Sequence, residues 1–381
     1  MRQDGRDGRD GRDGQLRAGP VAETSIWLGS TVSTVLTVLT VLSSPVRLSA
    51  QGLVHEPFPV RLIFTGDINL GTRTLPEGLP PDSGRGLFAQ VDSLLKGDLV
   101  VGNFEGVLSD SGESAKCAPK SNTCYAFATP TWLAPRLREA GFTHLNLANN
   151  HANDYGLDAR HGTEAILGEL GLVPYGPLDE VAITPVMRDG RYMLVGIVGF
   201  TTYPHAYNLL DLPGSAAIVA QVRPLVDVLV VTFHGGKEGA AAVRTPAGPE
   251  FLAREPRGNL RRWARQVIDA GADAVVGHGP HVLRGVEFYR GRPVFYSLGN
   301  FVTFRGFNLE GPLGLTTALA LDLDSTGGFV AARMPALRQL PDSGTGPDPA
   351  HRATLLLRRI TRLDFPRTGA RFADDGTLTA P

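Results

Sequence analysis

Eight short aliphatic runs between residues 60 and 323 constrain this chain more than any other feature: "VRLIFTGD", "DLVVGNFE", "THLNLANNH", "MLVGIVGF", "DVLVVTFHGG", "ADAVVGHGPH", "RPVFYSLGNF" and "TALALDL". Most lack polar alternation, so they read as strands buried on both faces. Between them "GLFAQVDSLLKG", "TPTWLAPRLREAG", "HGTEAILGELG" and "NLRRWARQVIDAG" carry apolar residues at helical spacing. In the last of these, Leu260, Trp263, Ala264, Val267 and Ile268 form one stripe behind Asn259 as N-cap, with Gly271 as the stop, which assigns Trp263 to the core. Alternating strands and helices predict an α/β domain, 58–325, with a largely parallel sheet under helical cover.

The flanks read differently. "DGRDGRDGRDG" is a polar repeat unable to bury a core, and the apolar stretch from Ile26 to Leu42 ends in small residues before Ala50, as a secretory signal does. Residues 1–50 are therefore expected to be a disordered repeat plus a signal peptide. The alternatives are a membrane anchor, giving membrane contact through this segment, or a start codon assigned upstream of the true signal. The expected location is exported: periplasm, cell envelope or outside the cell. After residue 325 the pattern fades into the Pro- and Gly-rich "LPDSGTGPDPAHRA", with "TLLLRRITRLDF" as one closing strand, so 326–381 is expected to be a linker and C-terminal tail. The formal charge of −1 and the lack of a basic block argue against nucleic acid as a partner. Cys117 and Cys124 are the two cysteines, and in an exported protein they predict a disulfide closing the loop that follows Glu105.

The ends of the strands carry the chemistry. In open α/β sheets ligands bind beyond the carboxyl ends of strands. Here successive strands end in Asp67, Glu105, Asn150 with His151, His234, then His278 and His281. Each has an ordinary explanation alone, as a turn cap or a hydrogen-bonded histidine. Together, two carboxylates, an amide oxygen and three imidazoles offer mixed oxygen and nitrogen donors suited to a pair of divalent ions. In "GHGPH" the glycines and Pro280 make a tight turn, so His278 and His281 can face different ions.

The ordered motifs "FTGDINLG", "VGNFEGVLSD", "EAGFTHLNLANNHANDYG", "TFHGGKE" and "GADAVVGHGPHVLRGVEFYRGRPVFYSLGNFV" resemble the CapA group of capsule and poly-gamma-glutamate synthesis proteins, within the calcineurin-like metallophosphoesterase superfamily, over residues 60–305. The resemblance implies a four-layer α/β/β/α metallophosphatase-like sandwich and a site of the dinuclear phosphoesterase type, holding two divalent ions among Mn, Zn, Fe or Mg. It makes Asn150 a metal ligand and His151 the acid beside it. The chain departs from the usual pattern at Asn69, where a His is common, and at Glu105, where an Asp would bridge the metals; Gly279 replaces a further His, and "HGGKE" lacks an aromatic after His234. Asp154 and Glu238 are read as exposed carboxylates orienting His151 and His234, and Asn300 as a structural amide or a substrate contact. Two functions follow as expectations: metal-dependent hydrolysis of a phosphoester or of an anionic capsular polymer such as poly-gamma-glutamate, or noncatalytic binding of that polymer at the envelope. A generic secreted phosphoesterase is the remaining alternative.

Overall fold

The computed structural model describes residues 53–114, 116, 117 and 124–381; the repeat and apolar segment of 1–50 lie outside these. The first sheet is begun by β1 (Val60–Asn69), β2 (Leu99–Phe104), β3 (His144–Asn146) and β4 (Val173–Tyr175), all mutually parallel, with α1 (Pro135–Ala140) and α2 (Gly156–Glu169) in the crossovers. The second sheet comes next with parallel β5 (Arg191–Thr201), β6 (Val228–His234), β7 (Ala274–His278) and β8 (Arg292–Phe295), linked through α3 (Leu212–Val222) and α4 (Leu260–Asp269). The chain then returns to the first sheet. There β9 (Asn300–Thr303) pairs parallel with the end of β1, and β10 (Ala318–Leu323) runs antiparallel along its beginning.

Side-chain alternation along these strands builds four layers. Leu62 and Phe64 of β1 meet Val228, Val230 and Val276 in a core between the sheets. Ile63 and Val100 point the other way, onto Leu137 of α1 and Leu167 of α2. Leu229, Val231 and Val275 likewise face α3 and α4, where Trp263 is fully buried and donates its indole N–H to Ser215 Oγ at 3.0 Å. The arrangement is the expected α/β/β/α sandwich. Asn259 caps α4 by accepting from Arg262 N, and Gly271, at φ +122, ends it.

Three expectations about elements need correction. "GLFAQVDSLLKG" buries Leu87, Phe88, Val91 and Leu95 but forms 3₁₀ turns instead of a helix. There Asp92 accepts from Ser93 N, competing with helical bonding. "TLLLRRITRLDF" is a helix, α5 (Arg352–Asp364), not a strand. Its buried Ala353, Leu357, Ile360 and Asp364 recur at helical spacing, and Asp348 accepts from the N–H groups of Arg352 and Ala353 at its start. The segment read as linker and tail is built into the first sheet: β11 (Phe329–Arg333) pairs with β10, β12 (Thr377–Thr379) pairs with β11, and Leu357 joins the core between the sheets.

Candidate metal centre

The polar residues sit where the two sheets present their strand ends together. In the first sheet Asn300, Asp67, Asn103 and Asn146 lie in register on four adjacent strands. In the second, His234 and His278 are paired on β6 and β7. Gly66 permits this approach, because a Cβ there would fall 1.9 Å from Gly299 O, and Asp67 N donates to that same carbonyl at 3.0 Å.

Asp67 is fully buried. Its Oδ1 accepts from Asn103 Nδ2 at 2.8 Å and its Oδ2 lies 3.0 Å from His281 Nδ1. Burial disfavours its charge, but His281, His278 and the Asn103 amide outweigh this and hold the carboxyl below its ordinary range. Glu105 behaves oppositely. Both carboxylate oxygens are buried without a hydrogen-bond partner, and burial, with Asp67 and Glu238 nearby, pushes its pKa well up. Three imidazoles converge on Glu105 Oε1: His234 Nε2 and His281 Nε2 at 3.7 Å and His151 Nε2 at 3.9 Å. Asp67, Glu105 and His281 together offer ligand atoms all within 4.8 Å of one another.

The far nitrogens of these rings are fixed. His278 Nε2 donates to Thr65 O at 2.9 Å, which leaves its buried Nδ1 as an unpartnered lone pair. His281, at φ +59, donates Nδ1–H toward Asp67 and toward Asn300 Oδ1 at 2.9 Å; against its burial, Glu105 and Asp67 raise its pKa to about 10. His151 Nδ1 donates to Asp154 Oδ2 at 2.7 Å. His234 faces Asn103 Nδ2 through Nδ1, and its Nε2 is buried with no partner. Rings held through one nitrogen with the other aimed inward are what metal ligation requires. Asn150 Oδ1 is also buried and unpartnered, whereas the Asn149 amide is spent on Phe104 O and His151 N. Four of the six residues read as ligands thus carry a buried polar atom that the protein leaves unsatisfied. Such a group costs about 1–3 kcal/mol unless something binds it, so the donor set fits a bound cation.

The neighbours differ in part from expectation. Asn69 spends its amide on Glu105 O and Gly71 N, fixing the backbone at Glu105. Asp154 is buried, not exposed, because besides His151 it accepts from Phe127 N and pairs with Lys116 Nζ at 2.5 Å. Glu238 does not hold His234; it pairs with buried Arg257 at 2.7 Å and approaches His281 Nε2 at 3.9 Å. Asn300 is fully buried against His281. Cys117 and Cys124 are joined in a disulfide next to Lys116, whose ammonium also reaches Asn150 O at 3.0 Å. Asn103, Asn146 and Lys116 were missed. The signal for the two amides was a polar residue inside an otherwise aliphatic strand.

The family "Bacterial capsule synthesis protein PGA_cap" matches residues 61–305. The chain belongs to this family. The chain is similar to the "PGA biosynthesis protein CapA" of Bacillus subtilis (strain 168), 30% identical over 264 residues, which are 64% of this chain and 63% of that one. The "Capsule biosynthesis protein CapA" of Bacillus anthracis is 31% identical over 252 residues, 65% of this chain and 60% of that one. The chain thus spans less than two thirds of these relatives. Among solved structures, a putative 5'-nucleotidase from Staphylococcus aureus superposes with a TM-score of 0.41 at 12% identity, covering 79% of this chain and 58% of that one. The matched span of the PGA_cap family contains every residue of the candidate centre.

Proposed function

We propose that this PGA_cap protein is an exported metal-dependent hydrolase of capsule or poly-gamma-glutamate synthesis, acting on a phosphoester or on the anionic polymer itself. The observation that carries the reading is the approach of His151, His234 and His281 to the unpartnered buried carboxylate of Glu105, with Asp67 beside it and further unpartnered buried atoms on Asn150 and His278. Asp67, Glu105, Asn150, His234, His278 and His281 would hold two divalent ions. When bound, such ions polarise the substrate oxygen and lower the pKa of an attacking water.

The protein's own residues do the rest. Asp154, itself neutralised by Lys116, fixes His151 with Nδ1 protonated and Nε2 turned to the Glu105 side of the site. With Nδ1 already donating to Asp154, His151 would have to take a proton from solvent at Nε2 and then pass it to the leaving oxygen; burial lowers its pKa and the Asp154 hydrogen bond opposes that fall. Asn300 and Asp67 hold His281, and Asn103 spaces Asp67 from His234.

The test is elemental analysis of the purified full chain, with turnover of an aryl phosphate, an alkyl phosphodiester and poly-gamma-glutamate in Mn, Zn, Fe or Mg. Stoichiometric metal, lost on replacing His278 and His281 together by Ala, supports the centre. A chain that binds no metal overturns it, and a fully loaded chain without turnover moves the function to noncatalytic polymer binding.

A further inference from the structure

We propose that an arginine-lined groove formed by α4, α5 and the segment after α5 binds an extended polycarboxylate chain, at a site separate from the metal centre. The chemical class of the ligand rests on the proposed role in capsule-polymer synthesis; the groove rests on the fold.

Residues 352–371 contain six arginines and one acid, Asp364, in a chain whose net charge is −1. Asp364 leaves the surface positive, because it is buried and engaged by Arg244 Nε and Thr245 N. Two clefts flank this segment. One, of about 530 Å³, is lined by Arg261, Arg262 and Arg265 of α4 and by one acid, Asp269, which pairs with Arg290 at 2.9 Å. The other, of about 470 Å³, is lined by Arg358, Arg362, Arg367 and Arg371 together with Phe365. They adjoin, since Arg261 of the first lies 4.4 Å over the ring of Phe365 in the second and donates to Asp364 O. No residue of the metal centre lines either cleft.

The arginines divide into two kinds. Arg261, Arg265 and Arg358 are anchored on Thr245 O, Glu287 and Asp374. Arg262, Arg362, Arg367 and Arg371 are exposed, and among the described residues their guanidinium groups have neither a hydrogen-bond partner nor an ion pair. A guanidinium pairs with a carboxylate through two parallel N–H donors. One exposed pair is worth little, about 0–1 kcal/mol, so a single small anion would bind weakly here. An extended chain with a carboxylate on every residue engages several guanidinium groups at once, and tethering multiplies the weak contacts. Adjoining clefts with four free arginines suit that ligand better than a compact one.

The probe is fluorescently labelled poly-glutamate, titrated with the full chain at low and physiological salt. Wild type should bind, more weakly as salt rises. Replacing Arg362, Arg367 and Arg371 together by Ala should weaken binding by about tenfold or more, while Lys at the same three positions should retain most of it. None of the three supports another side chain, so thermal melting and metal content should match wild type. The His278→Ala/His281→Ala protein should bind the polymer as wild type does, whether or not the hydrolase reading survives. The groove is overturned if no poly-glutamate binds, if the triple Ala variant binds normally, or if only the histidine variant loses binding. Equal or tighter binding of single-stranded DNA of the same charge, lost in the same variant, would overturn the polycarboxylate assignment in favour of nucleic acid.

Discussion

His144 should make this fold acid-sensitive in a defined window. It lies on β3, buried between the sheets, with Nδ1 2.8 Å from Thr143 Oγ1 and Nε2 2.7 Å from Thr184 Oγ1 of the second sheet. Burial pushes its pKa from 6.5 down to about 4. An unfolded chain therefore takes up this proton first as pH falls. The stability that a neutral His144 preserves is complete above about pH 6.5 and is lost progressively towards pH 4. At 1.36 kcal/mol per pH unit, the gap between 6.5 and about 4 amounts to about 3 kcal/mol. The perturbation is His144→Gln, which keeps an amide donor for Thr184 but cannot take a charge. Urea unfolding of both proteins across this range should show the variant less stable at neutral pH, by about 1–2 kcal/mol for lost packing. Towards pH 4 the wild type should fall by about 3 kcal/mol more than the variant. Carboxylates elsewhere titrate in both proteins and cancel in the difference. Curves that stay parallel from neutral to acid pH would refute the assignment.

The remaining predictions concern the site. Asn150→Ala should lower metal content and turnover together, whereas His151→Ala should keep metal and lose about 10²–10⁴ in rate on poor leaving groups; equal, small losses on an alkyl and an activated aryl ester would remove the acid role. Asn103→Leu should weaken metal affinity by about 10- to 100-fold although Asn103 is not a ligand, because it sets the spacing of Asp67 and His234; unchanged affinity by competition with a chelator would contradict this. Reducing the Cys117–Cys124 bond should lower stability by about 2 kcal/mol and free Lys116 from Asp154. An unchanged melting temperature under reductant would count against a structural role for that bond.

Much of the architecture was legible in the residues, because strand runs such as "DVLVVTFHGG" lack polar alternation, which marks strands buried on both faces, and the stripe of α4 has a period that fixes its one buried face. The strand ends led to Asp67, Glu105 and the histidines, since possible ligand groups recur after several aliphatic runs whose ends a parallel sheet brings to one edge. What stayed hidden depended on pairing across strands. Asn103 matters because it lies in register between Asp67 and Asn146, and register is not written in any single segment. Asp154 looked exposed because its cover comes from Phe127 and Lys116, more than twenty residues away in the chain. The arginines of α5 form no run in sequence; the helix and the turn after it gather them on one surface.

The family match ends at residue 305, but β1 depends on strands and a helix C-terminal to that point. Its first half, Val60–Thr65, is paired residue for residue with Ala318–Leu323, and the core between the sheets takes Leu319, Leu321 and Leu357 from beyond the match. The stretch that is shared by descent and the stretch that folds cooperatively are therefore different objects here. A fragment trimmed to 61–305 would keep every candidate ligand and still present β1 as a raw apolar edge, the geometry that templates aggregation. Domain-swapping or expression work on such proteins should take its boundaries from the strand partner of the strand that carries Asp67, and not from the span over which sequences align.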